Sequence, residues 1–245
     1  MSKSVENIKP YNDDEAKSSQ VEAMFDSIAP AYDFMNHAMT MGIDRCWRRK
    51  AIRRLAKIAP RQLLDVATGT GDLAISLCRK LKPQRVIGID ISAGMLQVAE
   101  EKIKKKQLHD KIAVEQGDCL NMRFIDESFD AVTVAFGVRN FEHLDKGYSQ
   151  MYRVLRPGGM VCVLELSTPR NRIIRWFYDL YTLHIIPFFG KLKSGDKNAY
   201  RYLPLSIAAV PQGDDKLAIM REAGFTQCNA KRLTLGTCTI YTAVK

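Results

Sequence analysis

The chain has 245 residues, 46% hydrophobic and 26% charged, with a formal net charge of +10. That length suits one sizeable α/β domain with an appendage. Six scattered cysteines form no C-x-x-C pair and the four histidines do not cluster with them, which argues against a disulfide or zinc framework, so no metal site is expected.

The first stretch, MSKSVENIKPYNDDEAK, lacks an apolar h-region and carries Glu6, Asp13, Asp14 and Glu15, so it reads as neither a secretory signal nor a transit peptide. Residues 45–61 hold eight positive and no negative side chains, with Trp47, Ala51, Leu55 and Ile58 on one stripe. This is an amphipathic basic helix whose polar face either is simply solvated or meets acidic headgroups or nucleic acid. From residue 61 the pattern alternates: strands at QLLDVA, RVIGID, KIAVEQGD, FDAVTVAFG and MVCVLELS, and helices at DLAISLCRKL, SAGMLQVAEEKIKKKQ (capped by Ser92) and HLDKGYSQMYRVL, the last closed by Pro157-Gly158-Gly159. Such alternation predicts a doubly wound, mostly parallel sheet. After residue 170 the alternation stops. It resumes with DKLAIMREAGF and two strands joined by a tight turn, one of them antiparallel to the rest, for seven strands in all. The apolar stretch IIRWFYDLYTLHIIPFFG is interrupted by Arg175, Asp179, His184 and Pro187, so it is too short and too charged to span a bilayer, and the protein is expected to be soluble or peripheral.

The first strand runs into Gly69-Thr70-Gly71-Asp72-Leu73-Ala74, a G-x-G-x-x-A turn of the kind that seats a dinucleotide pyrophosphate on a helix N-terminus. Here, however, Asp65 ends the strand and Asp72 opens the helix. Each acid about 4 Å from a pyrophosphate would cost ~4 kcal/mol at an effective dielectric of ~20. The same acids suit a cation without phosphate, and S-adenosylmethionine (AdoMet) is one. Gly69 and Gly71 would let the backbone approach it, Asp90 would take both ribose hydroxyls, and Asp118 lies where adenine N6 would be. Asp72 is also readable as a helix cap and Asp118 as a turn residue.

Two longer motifs carry a family resemblance. YDFMNHAMTMGIDRCWR from Tyr32 and RVLRPGGMVCVLELS from Arg153, with FGVRN (136–140) and YRYLPLS (200–206), resemble the AdoMet-dependent C-methyltransferases of menaquinone and ubiquinone biosynthesis, over most of the chain from Val21 onward. Asp44 departs from the usual His, and Ala135 from the Ser of some members, which puts a side-chain contact there in doubt. The resemblance implies a class I AdoMet-dependent methyltransferase fold: an N-terminal helical cap (1–60), an AdoMet-binding core (61–170), a helical substrate lid (171–210) and a C-terminal helix and hairpin (211–245). It carries Thr70, Asp90, Asp118 and Cys119 over as cofactor residues, beside Asp65, Gly69 and Gly71 from the turn itself. Tyr32, Asn36, Tyr200 and Tyr202 from the matching motifs are expected at the substrate. The implied reaction moves a methyl group from AdoMet to a ring carbon of a demethylmenaquinol or a related polyprenyl quinol.

Such a carbon is nucleophilic once its ortho hydroxyl is ionised. A phenol near pKa ~10 needs help, and a nearby cation lowers it by roughly 1–3 units. Arg139 is the expected cation and Asn140 the orienting group, although a structural ion pair is the alternative for Arg139. His37, Asp33 and His143 are candidate bases. Between Trp176 and Tyr202 lie eight of the chain's 21 aromatics, interspersed with basic residues, which suggests a cover for a prenylated substrate and contact with an anionic membrane surface. The expected location is cytoplasmic or peripheral on the inner face of the cytoplasmic membrane, and a homo-oligomer is allowed. The rivals are a benzoquinol methyltransferase, a non-catalytic AdoMet-binding assembly protein, and a nucleic-acid methyltransferase. The last is disfavoured because AFGVRN is not a Pro-Pro-aromatic motif and no Cys follows a Pro, so no nucleic-acid partner is expected.

Overall fold

Short apolar runs become strands because they are buried on both faces, and amphipathic runs become the helices that cover them. The computed structural model describes residues 5–11, 14–181 and 197–245, without the side chains of Lys197 and Tyr200. Helices α1 (Lys17–Met39) and α2 (Asp44–Leu55) precede the alternating core. The core comprises β1 (Gln62–Val66), α3 (Asp72–Leu81), β2 (Arg85–Asp90), α4 (Ala93–Lys105), β3 (Ile112–Gln116), β4 (Phe129–Ala135), α5 (Leu144–Val154) and β5 (Leu155–Leu166). Then come α6 (Arg172–Leu180), α7 (Lys197–Ala209), α8 (Asp214–Glu222), β6 (Thr226–Leu233) and β7 (Cys238–Val244).

The seven strands lie in the order β3-β2-β1-β4-β5-β7-β6. Strands β1 to β5 pair in parallel, while β7 runs antiparallel to both neighbours, as the sequence predicts. The β6–β7 turn is tight enough to put Thr234, Leu235 and Gly236 at φ of 44°, 57° and 96°. Two boundaries differ most from expectation. The basic helix ends at Leu55 and passes through a 3-10 turn to Ile58, and β5 begins at Leu155, opposite Phe129 and across a bulge, instead of at Met160.

One core packs α5 and α8 under the sheet around Tyr148, Met151, Leu217 and Met220. The other face is covered by α2 and α3, with Trp47, Ala51 and Leu55 of the basic helix turned inward as expected and Ile58 only partly buried. A third cluster joins Met24, Ile28 and Met35 of α1 to Met95 of α4 and to Ala199 and Tyr202 of α7. The chain reverses its direction of strand addition between β1 and β4, and crevices at such switch points hold ligands. Gly137 is required there: a Cβ on it would sit 2.6 Å from that of Ala67, so the loops after β1 and β4 could not come together.

Candidate active site

Asp90 organises the crevice. Its Oδ2 accepts from the Gly69 amide at 2.8 Å and its Oδ1 from the Ser92 amide at 3.0 Å, which ties the β1 turn to the end of β2. Each oxygen keeps one further lone pair, a spacing suited to two vicinal hydroxyls. Burial holds the Asp90 carboxyl above its ordinary value even though both amides pull it down. Gly69 has φ +55°, and a Cβ there would meet nothing, so the backbone is open to a ligand. The cavity continues past Gly117, Asp118, Cys119 and Ala135 to Phe136 and Asn140, under Val21, Phe25 and Tyr32 of α1. Asp90, Asp118 and Glu142 line it, and among the described residues no lysine or arginine does. These walls fit AdoMet and oppose a pyrophosphate.

A second cavity of about 230 Å³ adjoins it, and Phe25, Tyr32, Phe136 and Asn140 line both. Its other walls are mostly apolar, with Met24, Ile28, Met35 and Met39 from α1 and Tyr178, Tyr181 and Tyr202 from the segment after β5. Phe136 is at φ +61°, uncommon for an aromatic residue, and is held there by its amide donating to the Leu164 carbonyl at 2.7 Å and by packing edge-on against Trp47. Three buried polar atoms on residues of this wall have no hydrogen-bond partner among the described residues: Arg139 Nε, Asn140 Oδ1 and Tyr202 Oη. Burial raises the Tyr202 hydroxyl well above the usual phenol range, so it is a donor at neutral pH.

Arg139 is not the free cation the sequence suggests. It is 6% exposed, and its Nη1 donates to Glu165 Oε1 at 3.0 Å and to the Phe136 carbonyl. Glu165 Oε2 also accepts from the Arg139 amide at 3.2 Å. Lys17 Nζ, at the start of α1, donates to the carbonyls of Val5, Arg139 and Phe141, which fixes the loop after β4 to the helix that roofs both cavities.

Of the predicted cofactor residues, Gly69, Asp90, Asp118 and Cys119 line the first cavity, and Asp65, Thr70 and Gly71 do not. Asp65 is buried inside its own turn, where it accepts from Thr68 at 2.8 Å and Thr133 at 2.6 Å, and burial pushes its carboxyl up to about 6. The Thr70 hydroxyl faces the other way, 2.5 Å from Asp33, and Gly71 caps α3. Asp72 also turns outward. Burial would raise its carboxyl, but Lys102 at 2.5 Å and Arg48 at 3.6 Å hold it below the ordinary carboxylate value. The reason is geometric: a turn of alternating glycines shows its backbone to one side and its side chains to the other.

Tyr32, Asn36 and Tyr202 line the second cavity, while the side chain of Tyr200 lies outside the described residues, as do Phe188 and Phe189. None of the three candidate bases reaches the site. Asp33 pairs with Lys102, His37 sits between Asp44 and Asp72, and His143 is exposed ahead of α5. Sequence reasoning missed Glu165 and Phe136. An acid inside the apolar run VCVLELS is the signal that points to Glu165, and the FGVRN motif that opens on Phe136 is the signal for that residue.

A model of the ubiE/COQ5 methyltransferase family matches residues 13–245. The demethylmenaquinone methyltransferase of Bacteroides fragilis is 53% identical over 240 residues, 98% of each chain. That of Porphyromonas gingivalis is 45% identical over 243 residues, 99% of each. The ubiquinone/menaquinone biosynthesis C-methyltransferase UbiE of Geotalea daltonii is 41% identical over 231 residues, 94% of this chain and 97% of that one. Among solved structures, the [4+2]-cyclase SpnF superposes with a TM-score of 0.70 at 17% identity, covering 93% and 96% of the two chains. An Aquifex aeolicus SAM-dependent methyltransferase gives 0.54 at 18%, covering 75% and 81%. These structural likenesses establish the class I methyltransferase fold. They leave the reaction to the site, since one of the two is a cyclase.

Proposed function

Because the chain belongs to the ubiE/COQ5 methyltransferase family, we propose that it transfers the methyl group of AdoMet to a ring carbon of a demethylmenaquinol. The observation that carries this is the pair of joined cavities, one acidic and one apolar, sharing the wall formed by Tyr32, Phe136 and Asn140. Bound AdoMet supplies an electrophilic methyl group on a sulfonium that leaves as a neutral thioether. The carbon beside the ring oxyanion forms the new C–C bond, and the proton it then gives up returns to the ring oxygen, which restores the hydroxyl and the aromatic ring. Asp90, Asp118 and Cys119 hold the adenosyl end. In the second cavity the Arg139 Nε–H and the Tyr202 hydroxyl are donors for a ring oxyanion, and Asn140 Oδ1 accepts from a ring hydroxyl. Positioning supplies much of the rest, with ~7–11 kcal/mol available from orientation. The first relatives above carry the naphthoquinol name, which favours that ring over a benzoquinol.

The test is methyl transfer from radiolabelled AdoMet to reduced demethylmenaquinol, beside a demethylated benzoquinol arm. Label is expected in the naphthoquinol product. Asn140→Ala should lower kcat by roughly 10²-fold, as loss of a positioned polar group does, while S-adenosylhomocysteine affinity changes little. Absence of label in any quinol overturns the reading.

A cavity of about 230 Å³ lies below the usual ~300–1,000 Å³ of ligand sites and suits a ring rather than a ring with its whole tail. Each isoprene unit is worth roughly 4 kcal/mol of transfer at ~0.8 per buried methylene, so the tail stays in a bilayer. No helix among the described residues is long and apolar enough to cross a membrane. Helix α6 instead turns Ile173, Trp176, Phe177 and Leu180 outward, 70%, 62%, 60% and 44% exposed, with Arg172 and Arg175 on the same helix. Its other face contributes Tyr178 to the cavity. We place this helix on the membrane surface, beside the tail's exit. Cosedimentation with vesicles of rising anionic-lipid content should show binding that weakens with salt, at ~1 kcal/mol per basic residue near the headgroups. Trp176→Asp with Phe177→Asp should reduce that binding at least tenfold without changing turnover on a tail-less quinol. Equal binding by the double variant removes α6 from the interface.

A further inference from the structure

The first residue of α1 is a buried lysine that lines neither cavity. Lys17 is 1% exposed, and its ammonium has three acceptors, all of them backbone carbonyls: Val5 at 2.7 Å, Arg139 at 3.2 Å and Phe141 at 3.2 Å. Burial pulls its pKa down to about 8, so at neutral pH it is mostly charged and brings three N–H donors to those three oxygens. Glu6 and Glu142 attract the ammonium and Arg139 repels it. The Glu142 carboxylate also accepts from the Lys17 amide, at 3.3 Å. Enclosing a charge costs free energy that an apolar side chain of the same length would not.

Two of the three carbonyls flank Asn140, a residue that lines both cavities. Asn140 Oδ1 is buried and has no partner among the described residues, so that atom does not anchor the side chain. The backbone does. The peptide before Asn140 has its N–H on the Gly137 carbonyl at 2.9 Å and its C=O on Lys17. The next peptide places the Phe141 N–H on the Val138 carbonyl at 3.1 Å, and the one after it places the Phe141 C=O on Lys17. A single ammonium thus ties two of three successive peptides to α1, whose Phe25 and Tyr32 wall both cavities. Through Val5, itself buried, it ties them to the N-terminal segment as well. We propose that Lys17 is a positioning residue for the methyl transfer, which holds the loop after β4 so that the Asn140 amide stays aimed at the junction of the two cavities. The proposal rests on the reading of the second cavity as a quinol site.

The test is a double-variant cycle in the full chain, with AdoMet and reduced demethylmenaquinol, well below each variant's unfolding transition. Lys17→Met keeps the unbranched stem and strands the carbonyls. It should lower kcat about tenfold, as a small misplacement of a positioning group does, with the quinol KM and the S-adenosylhomocysteine affinity within about twofold of wild type. On an Asn140→Ala background it should cost no further activity, because the group it positions is gone. A second readout needs no turnover. In protein carrying isotope-labelled asparagine and saturated with S-adenosylhomocysteine, the side-chain amide resonances missing from Asn140→Ala belong to Asn140. Those resonances should shift or broaden in Lys17→Met, while those of Asn121 and Asn229 stay in place. A purely structural lysine would lower the melting temperature, leave the Asn140 resonances unmoved and add its full loss to that of Asn140→Ala. Lys17→Gln, which keeps two N–H donors, carries the test if Lys17→Met does not fold, and should fall between it and the wild type. Unmoved Asn140 resonances, an independent loss in the double variant, or failure of both Lys17 variants to fold overturns the proposal. If the wild type methylates no quinol, the substrate reading falls instead, and the amide resonances still decide whether Lys17 sets Asn140.

Discussion

Replacing Glu165 with alanine is expected to destabilise the protein by about 3–5 kcal/mol, the range for breaking a buried ion pair by removing one partner. Glu165 is 1% exposed and accepts from Arg139 Nη1, from the Arg139 amide and from the Leu166 amide. Its removal strands two amides and leaves the buried Arg139 guanidinium without its counter-charge. For a chain of this size each kcal/mol moves the melting temperature by roughly 2–4 °C, so the transition should fall by about 6–20 °C. Thermal unfolding followed by circular dichroism measures this. Removing both partners, as Glu165→Leu with Arg139→Met, should cost less than the two single changes added together, because no orphaned charge remains. Arg139→Ala alone should destabilise for the same reason, so its loss of turnover cannot by itself report on catalysis. A loss below about 1 kcal/mol for Glu165→Ala would mean that water reaches the pair.

Asp90→Ala should weaken S-adenosylhomocysteine by roughly 1–3 kcal/mol, or about 5- to 150-fold, measured by titration calorimetry. Two effects add in this variant. The carboxylate we propose as the acceptor for the ribose hydroxyls is removed, and the Gly69 and Ser92 amides lose the group that holds the turn in place. Asp118→Ala should cost less because Asp118 is exposed at the cavity rim. Since burial raises the Asp90 carboxyl, affinity should fall as pH drops through that raised value and the group becomes neutral. NADH should bind the wild type more weakly than S-adenosylhomocysteine. Tighter NADH binding would contradict the assignment of the acidic cavity.

Much of this protein is legible in the sequence because the forces involved are local or periodic. Short apolar runs alternating with amphipathic ones give the five parallel strands and their helices, and the strand–turn–strand at the end gives the antiparallel β7. The acids at the strand ends mark the cofactor crevice, since strand direction places their carboxyl ends on one edge. Asp90, Asp118, Cys119 and Gly69 line that crevice, and Asn140, Tyr32, Asn36 and Tyr202 line the adjoining cavity, whereas Asp65, Thr70 and Gly71 line neither.

Which way each polar group points was decided only by the tertiary structure. Sequence spacing cannot distinguish the two sides of the Gly69–Gly71 turn, and the side of Thr70 and Asp72 is fixed by Lys102, Asp33 and Arg48, residues from three other helices. The state of Arg139 depends on Glu165, 26 residues away and brought within 3.0 Å by the β4–β5 pairing. Hydropathy reads a lysine at position 216 as surface, yet packing of α8 against β7 and α5 encloses its ammonium. Long-range pairing sets such charges, because their energy depends on distance and dielectric, and neither is encoded in the order of residues along the chain.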